Sequence, residues 1–297
     1  MIIHICYPCC HVKKCKRMLF KSIDSVAQHN KKNELVFSFL NSSYDDDKME
    51  FEDEDFDRIR KILHNRGVKH DISVFDVSDL MYCFEGCRPL GGQWNAYKRF
   101  FINKIYHEYM PGVERVLYLD EDTLCTGSLE KLYTVDMKGR PFWGLINTGT
   151  LVSKTPHLET RLSNNKNYIN DGLLLIDVRY NIYPKLNKCI KSAEEWHIFG
   201  YQYLHDQTII NMFYPAVSEY TKPGNDIKYD RLKVYGHLTR DFYKRYNIIH
   251  YWGHKQPGTN YYNYIGNGKE NEIDTQIYEL IYGKNYNKQT YGKKIQK

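Results

Sequence analysis

The sequence Arg115-Val116-Leu117-Tyr118-Leu119-Asp120-Glu121-Asp122-Thr123 joins a short apolar run to three consecutive acidic residues. An apolar run of this length predicts a strand that is buried on both faces of a sheet. Where the strand stops, Asp120 and Asp122 can turn toward the same space, and facing carboxylates repel unless a cation lies between them. Oxygen ligands suit Mg²⁺ or Mn²⁺. The stretch therefore predicts a strand followed by a cation site, with a solvated acidic turn as the alternative.

The segments before this strand alternate between apolar runs and helix-like spacing. They predict strands over residues 2–7, 34–40, 73–77 and 115–119, and helices over 15–30, 50–65 and 94–109. This order is typical of an α/β, doubly wound, mostly parallel sheet flanked by helices. Ligands bind such sheets at the carboxyl ends of the strands, and Asp120 lies at one of them.

The second half of the chain is less regular. It predicts strands over residues 141–145, 150–153, 172–176 and 248–251, and helices over 186–199 and 206–213. No linker, low-complexity run or internal repeat divides it. We expect a single domain over residues 1–260, followed by an irregular C-terminal extension over 261–297 that is rich in tyrosine and lysine.

Composition excludes several classes of protein. Of the 297 residues, 42% are hydrophobic and 26% charged, as in ordinary globular proteins, and the net charge is +6. The basic residues form no stripe of the kind that binds nucleic acid. No run approaches the roughly 18 apolar residues of a membrane span, and the N-terminus lacks a signal-peptide pattern. We expect a cytoplasmic protein without a nucleic-acid partner or membrane span, and leave peripheral membrane association and a homodimer open.

The eight cysteines are irregularly spaced, which favours reduced thiols over a secreted disulfide framework. Thiol and imidazole groups are concentrated near the N-terminus, at His4, Cys6, Cys9, Cys10, His11 and Cys15. These groups could bind zinc or form a redox pair, although a second ligand pair at the usual spacing is missing. A zinc-dependent regulatory module is therefore an alternative interpretation, and it predicts stoichiometric zinc.

Two further polar segments follow or precede apolar runs. His250 comes after Ile248-Ile249, before a loop with Gly253 and Lys255. An imidazole suits Mn²⁺ as a third ligand, and a glycine backbone with an ammonium group suits a diphosphate, whereas an ordinary core histidine is the alternative. Asn170-Asp171-Gly172 precedes an apolar run and suits either sugar hydroxyls or a turn.

Asp206-Gln207 opens the predicted helix over residues 206–213. Aspartate is a good helix N-cap, so a purely structural role explains this position. If the pair faces a pocket, it could contact a reacting sugar instead.

Taken together, these segments resemble glycosyltransferase family 8, which includes glycogenin and bacterial lipopolysaccharide galactosyl- and glucosyltransferases. The matching segments, in the family's order and approximate spacing, are Tyr97-Lys98-Arg99, Val116 to Thr123 with Gly127, Leu129 and Leu132, Asn170 to Asp177, Asp206 to Asn211, and His250 to Gly253. The resemblance implies a GT-A fold with a Rossmann-like central sheet. It also implies retaining transfer of a hexose from a UDP-sugar to a hydroxyl of a glycan, lipid-linked glycan or protein.

The resemblance implies Mn²⁺ as the cofactor, with Mg²⁺ as the alternative, and Asp120, Asp122 and His250 as its ligands. The implied donor-binding residues are Ile5, Cys6, Tyr7, Arg99, Asp120, Glu121, Asp122, Asn170, Gly253 and Lys255. The implied residues at the reacting sugar are Asp171, Asp206 and Gln207. We expect the Glu121 side chain to point away from the ion.

Three positions depart from the family pattern. Gln256 stands where the closing loop usually has lysine, with Lys255 one residue early, and Thr208 replaces the second aspartate of an Asp-Gln-Asp segment. Cys9 and Cys10 stand where the family commonly has small or acidic residues beside the nucleotide. Contacts to the base are therefore not carried over in detail.

Two other functions fit the same sequence. A catalytically idle protein would bind the nucleotide sugar without transferring it. A self-glucosylating protein like glycogenin would use tyrosines of the tail, at Tyr261, Tyr262, Tyr264, Tyr278, Tyr282, Tyr286 or Tyr291. For a retaining transferase we favour same-face attack over a covalent intermediate, for which Asp206 is the candidate nucleophile.

Overall fold

The fold is seen in a computed structural model, which describes residues 1–10, 13–44, 51–84, 94–145, 169–182, 186, 205–214, 216–219, 229–231 and 247–250. Several sequence predictions fall outside these residues: the strand over 150–153, the helix over 186–199 apart from its first residue, and the extension over 261–297. Within the described part, no helix is long and apolar enough to cross a bilayer.

Ten strands and six α-helices are described. The strands are β1 (Ile2–Pro8), β2 (Glu34–Asn41), β3 (Lys69–Asp76), β4 (Arg115–Leu119), β5 (Thr123–Cys125), β6 (Phe142–Leu145), β7 (Leu173–Asp177), β8 (Ala216–Glu219), β9 (Tyr229–Arg231) and β10 (Ile248–His250). The helices are α1 (Lys13–His29), α2 (Asp53–Arg66), α3 (Ser78–Met81), α4 (Ile102–Tyr109), α5 (Glu130–Tyr133) and α6 (His205–Phe213). Two 3₁₀ helices span Tyr82–Phe84 and Trp94–Phe101.

Seven strands form the central sheet, in the order β3-β2-β1-β4-β7-β6-β8. The first four strands in this order are mutually parallel, β7 is antiparallel to both β4 and β6, and β8 is parallel to β6. A separate small sheet has the order β5-β10-β9. The predicted α/β fold with a mostly parallel central sheet is confirmed.

The central sheet separates two hydrophobic cores, because successive side chains of a strand face opposite sides. Ile5 of β1 and Leu117 of β4 lie in the core that α1 and α2 cover. Cys6 and Tyr118 lie in the other core, against the 3₁₀ helix over Trp94–Phe101 and α4. The apolar runs of β1 and β4 are thus buried on both faces, as their composition predicts.

Five of the described strands and α-helices, β5, β8, β9, α3 and α5, have no counterpart among the sequence predictions, and two predicted elements differ clearly from the structure. Strand β3 begins at Lys69, four residues earlier than residue 73, because an edge strand tolerates the exposed polar side chains that alternate along it. The helix predicted over residues 94–109 is a 3₁₀ helix up to Phe101 and an α-helix from Ile102 onward. The 3₁₀ part carries Lys98 and Arg99, which are both buried.

Two antiparallel pairings bring distant segments to the end of β4. Leu119 of β4 pairs with Leu173 of β7, so that the amide of Asp120 donates a 2.9 Å hydrogen bond to the carbonyl of Gly172. In the small sheet, His250 pairs with Thr123 of β5. The carboxyl ends of β4 and β10 and the amino end of β7 therefore meet beside the acidic triplet.

Candidate metal centre

Asp120, Asp122 and His250 meet at this junction. Nε2 of His250 lies 3.0 Å from Oδ1 of Asp122 and 3.8 Å from Oδ2 of Asp120. One ligand atom from each of the three residues lies within 4.8 Å of the others. The imidazole is buried, whereas the two carboxylates are partly exposed, so the cluster is open on one side. Two oxygen atoms and one nitrogen atom form a donor set that suits Mn²⁺ or Mg²⁺.

Gly172 provides the space in which the two side chains from β10 and β4 approach each other. A Cβ atom at this position would lie 2.0 Å from Cε1 of His250 and 2.7 Å from Oδ2 of Asp120. Both distances are far below van der Waals contact, so any side chain at position 172 would displace at least one of the two groups. Gly172 thus contributes to the site through the absence of a side chain.

Asn170 orients the imidazole. Its Oδ1 lies 3.2 Å from Nδ1 of His250 and also accepts a 3.2 Å hydrogen bond from the backbone amide of Gly172. Because that amide is a donor, the side-chain atom of Asn170 that faces it must be the oxygen. This oxygen can only accept from Nδ1 of His250, so the proton of the neutral imidazole is assigned to Nδ1. The lone pair of Nε2 then faces Asp120 and Asp122, as a metal ligand requires.

Arg99 connects the cluster to two further carboxylates. Its Nη2 lies 3.2 Å from Oδ1 of Asp120 and 3.1 Å from Oδ2 of Asp206, and its Nη1 lies 2.9 Å from Oδ2 of Asp171. The guanidinium is nearly inaccessible and stacks on the ring of Tyr118, with Cζ 4.7 Å from the ring centroid. Arg99 therefore holds three carboxylates in fixed positions, and its predicted contact with a donor remains a prediction.

Asn170 contacts both Gln207 and His250, and Asp171 pairs with Arg99. Oε1 of Gln207 accepts a 3.2 Å hydrogen bond from Asn170, whereas its buried Nε2 has no hydrogen-bond partner among the described residues. Asn211 fixes the backbone here, since its Nδ2 donates to the carbonyls of Ile169 and Gln207 at 2.8 and 2.7 Å. These contacts favour a pocket at Asn170-Asp171-Gly172 over a solvated turn.

Asp206 lies within the first described turn of α6, and its carboxylate contacts Arg99. The N-cap interpretation of this residue is therefore wrong for the described helix, which already includes His205. The carboxylate instead faces the same space as Asp171.

The carboxyl groups at this junction are crowded. Burial raises the pKa of Asp120, and the neighbouring Asp122 adds to this, while Arg99 and His250 oppose it. Burial also raises the pKa of Asp171 well above its usual range, opposed by Arg99 and reinforced by Asp206. A cation bound between the carboxylates would relieve this repulsion, so the electrostatics favour metal binding.

The predicted nucleotide residues Ile5, Cys6 and Tyr7 are completely buried in the two cores. The hydroxyl of Tyr7 is 2.8 Å from Oγ of Ser22, inside the protein. Contact of these side chains with a donor would require the cores to open, and contact of this segment with a donor remains a prediction. Along the chain after β1, the first partly exposed side chain is Cys10.

Glu121 points away from the metal ligands, as expected, and its carboxylate lies near the thiols of Cys10 and Cys15. Gly253 and Lys255 lie outside the described residues. Donor contacts by these residues therefore remain predictions.

The sequence did not reveal four other contacts. The hydroxyl of Tyr118 donates a 2.7 Å hydrogen bond to Oδ1 of Asp120, and buried Lys98 donates one of 2.7 Å to the carbonyl of Cys9. Thr123 donates to the carbonyl of Asp120 at 2.8 Å and is 3.0 Å from Ser22, which links the acidic triplet to α1. Among these contacts, the sequence pattern indicates only that of Tyr118, because a strand residue two positions before Asp120 faces the same side of the sheet.

Comparison with known families gives one match over most of the chain. The sequence profile of glycosyl transferase family 8 matches residues 15–259. A curated relative, glycosyltransferase GlyF of Streptococcus pneumoniae serotype 4 (strain ATCC BAA-334 / TIGR4), is 28% identical over 120 residues. That alignment covers 40% of this chain and 26% of GlyF, so the chain matches about a quarter of that relative's length.

Solved structures show the same fold. The galactosyltransferase LgtC, in complex with donor and acceptor sugar analogues, has a TM-score of 0.63 at 19% identity, covering 99% of this chain and 100% of LgtC. Mouse xyloside xylosyltransferase 1 has a TM-score of 0.55 at 15% identity, covering 84% of this chain and 97% of that one. GlyE of Streptococcus pneumoniae TIGR4 has a TM-score of 0.53 at 15% identity, covering 94% and 63%. These likenesses confirm the predicted GT-A fold.

Proposed function

Because the chain belongs to glycosyl transferase family 8, we propose that it is a Mn²⁺-dependent, retaining hexosyltransferase with a UDP-sugar donor. Its acceptor is a hydroxyl of a glycan, a lipid-linked glycan or a protein. The observation that carries the proposal is the convergence of Asp120, Asp122 and His250 beside the carboxylates that Arg99 holds. A fold likeness alone would not support a transferase activity.

The side chains at the junction fit a divalent cation. The donor set of two carboxylates and one imidazole suits Mn²⁺, and the missing side chain at Gly172 leaves the three ligands free to surround an ion. Asp120, Asp122 and His250 would hold the metal, with Mg²⁺ as an alternative to Mn²⁺. When bound, the metal supplies charge neutralisation for the diphosphate of the donor and of the departing UDP.

Gln207 is suited to bind the sugar of the donor. Its buried Nε2 lacks a hydrogen-bond partner among the described residues, and such an amide costs about 1–3 kcal/mol until a partner arrives. A sugar oxygen would satisfy this donor, while the carboxylate of Asp171 can accept a hydrogen bond from a neighbouring hydroxyl. Arg99 holds Asp171 and Asp206 in fixed positions for these contacts.

Retention of configuration follows, in this proposal, from attack on the same face of the sugar that UDP leaves. The alternative is a covalent glycosyl intermediate on Asp206. The ion pair of Asp206 with Arg99, at 3.1 Å, withdraws charge from that carboxylate and makes it a weaker nucleophile. We expect Asp206→Ala to lower activity modestly, and a glycosylated Asp206 peptide found by mass spectrometry would contradict same-face attack.

The test of the proposed function is release of UDP from a panel of UDP-hexoses. We expect one donor to be turned over with Mn²⁺, and we expect Asp122→Asn and His250→Ala to abolish turnover. Full activity in a chelator would refute metal dependence. Mn²⁺-dependent binding of UDP without turnover of any donor would instead identify an idle nucleotide-sugar-binding protein. A gain in intact mass by whole hexose units would identify self-glycosylation.

A further inference from the structure

A second cluster of metal-ligating side chains lies beside the first, on the opposite side of the acidic triplet. It consists of Cys10, which follows β1, Cys15 in the first turns of α1, and Glu121 between Asp120 and Asp122. The two sulfur atoms and a carboxylate oxygen lie within 4.8 Å of one another. All three residues are partly exposed, so an ion from solvent can reach them.

The cysteine pair that the sequence makes most conspicuous is not part of this cluster. Cys6 and Cys9 are fully buried and lie in different hydrophobic cores, on opposite faces of the sheet. They therefore cannot bind one ion or form a redox pair with each other. The six described cysteines, which are Cys6, Cys9, Cys10, Cys15, Cys83 and Cys125, form no disulfides.

The chemistry of the second cluster differs from that of the first. Two thiolates and one carboxylate favour a thiophilic ion such as Zn²⁺, whereas Mn²⁺ and Mg²⁺ prefer oxygen ligands. Zinc bonds of about 2.3 Å to sulfur and 2.0–2.2 Å to oxygen place tetrahedral ligands roughly 3.5–3.8 Å apart, so the cluster needs only a small contraction. The four residues between Cys10 and Cys15 also match the usual spacing of a zinc-binding cysteine pair.

Lys98 supplies charge compensation. Two thiolates and one carboxylate outweigh the charge of Zn²⁺ by one unit, and the buried ammonium of Lys98 interacts with both Cys10 and Glu121. Its Nζ donates to the carbonyl of Cys9, which fixes it beside the cluster. A negatively charged zinc site at this position would therefore have a cation next to it.

We propose that Cys10, Cys15 and Glu121 form a second metal site, which binds Zn²⁺ separately from the centre at Asp120, Asp122 and His250. Three protein ligands leave the fourth position of a tetrahedral ion open to water or to an exogenous ligand. Glu121 belongs to the second site through its side chain, whereas its two neighbours in sequence belong to the first. The sulfur ligands of the second site would thus select Zn²⁺, and the oxygen and nitrogen ligands of the first would select Mn²⁺ or Mg²⁺.

The proposal is tested by titrating the metal-free, reduced full chain with Zn²⁺ against a chromophoric zinc chelator. We expect one tightly bound Zn²⁺ per chain, and Cys10→Ser and Cys15→Ser should each weaken binding at least about tenfold. Cys83→Ser, which changes a partly exposed thiol outside the cluster, should leave the affinity unchanged. Asp122→Asn should also keep zinc binding, because it changes only the first site.

Titration of the unmodified chain with Co²⁺ gives a second readout that does not depend on the folding of a variant. We expect sulfur-to-cobalt charge-transfer absorption and the visible bands of a tetrahedral ion. Absence of this absorption, or loss of Zn²⁺ binding in Asp122→Asn but not in Cys15→Ser, would overturn the proposal. The proposal would also be overturned if peptide mapping of the untreated chain found a disulfide between Cys10 and Cys15 and the reduced chain bound no Zn²⁺. Each of these outcomes leaves the proposed transferase function untouched.

Discussion

At residue 172, the absence of a side chain lets His250 and Asp120, two of the proposed metal ligands, approach each other. Gly172→Ala would place a methyl group 2.0 Å from Cε1 of His250. We expect the affinity for Mn²⁺ to fall roughly 10–100-fold, as when a ligand's supporting contacts are lost. Calorimetric titration with Mn²⁺ measures this change.

Gly112→Ala is the matched control, because it also adds one methyl group but meets no atom within 4 Å. Its positive φ of 92° makes the substitution strained, at a cost of about 1 kcal/mol in stability. Mn²⁺ affinity should be unchanged in this control. Equal Mn²⁺ affinity in Gly172→Ala and the control would show that crowding at residue 172 does not govern the site.

Arg99 is the second residue whose removal should have large consequences. Arg99→Met leaves Asp120, Asp171 and Asp206 without their shared cation, and breaking a buried ion pair costs about 3–5 kcal/mol. Arg99→Lys should retain only part of this stability, since one ammonium group cannot reproduce the geometry of a guanidinium. Chemical denaturation measures the free energy of unfolding.

Arg179 provides the comparison for Arg99. Its side chain is 55% exposed, and it pairs with exposed Glu114 and with the buried carboxylate of Asp177. Arg179→Met should therefore cost less than Arg99→Met, because it strips the cation from one buried carboxylate whereas Arg99 serves three carboxylates. If the two arginine variants unfold at the same denaturant concentration, the carboxylate network around Arg99 is not a source of stability.

The convergence of Asp120, Asp122 and His250 could be predicted from the sequence because each follows an apolar run that ends abruptly. Other polar contacts near this junction could not. The alternation along β4 places Tyr118 on the side of Asp120 but does not show that its hydroxyl donates to that carboxylate, and Lys98 resembles any helix lysine until its hydrogen bond to Cys9 is known. The burial of Ile5, Cys6 and Tyr7 follows from their apolar run, whereas contact of this segment with a donor remains a prediction.

Among the elements, β10 brings His250 to the site, and the residue before it, Asn247, lies against Gly127. A Cβ atom at residue 127 would lie 2.3 Å from Oδ1 of Asn247, the residue before β10. We expect Gly127→Ala to cost about 1–3 kcal/mol of stability and to weaken Mn²⁺ binding, although residue 127 contacts no ligand. Denaturation and Mn²⁺ titration of the same samples measure both effects.

A double variant separates the clash from other causes. Asn247→Ala removes the atom that the new methyl group would meet, so Gly127→Ala combined with Asn247→Ala should recover most of the loss. If the double variant loses as much stability as the two single variants together, the contact between residues 127 and 247 is not the cause.

Elements with local signals could be predicted, and strand directions could not. Helix α2 has an acidic first turn, a capping box between Glu52 and Asp55, and a left-handed Gly67 at its end, all of which are readable within a few residues. The antiparallel direction of β7 depends instead on its pairing with β4 and β6, which no local pattern encodes. Yet this direction is what brings Gly172 next to Asp120.

For the whole molecule, the stability should depend on pH through Lys98. Burial lowers the pKa of this ammonium to about 8, from 10.5 in an exposed lysine. Between these pH values the unfolded chain binds more protons, so Lys98 makes the folded state more stable as pH rises. The gain relative to Lys98→Met should approach roughly 3 kcal/mol near pH 10. Denaturation of both proteins from pH 7 to 10 measures it, and a pH-independent difference would contradict the assignment.

The fold brings His250 to Asp120 and Asp122, which are distant from it in sequence, to form one candidate metal centre, and Mn²⁺ binding tests this assignment most directly. Electron paramagnetic resonance with UDP present counts the free Mn²⁺ in solutions of the unmodified chain, Asp122→Asn and His250→Ala. We expect one bound Mn²⁺ per unmodified chain and at least about tenfold weaker binding in each variant. Equal Mn²⁺ affinity in all three proteins would show that Asp122 and His250 do not bind the ion.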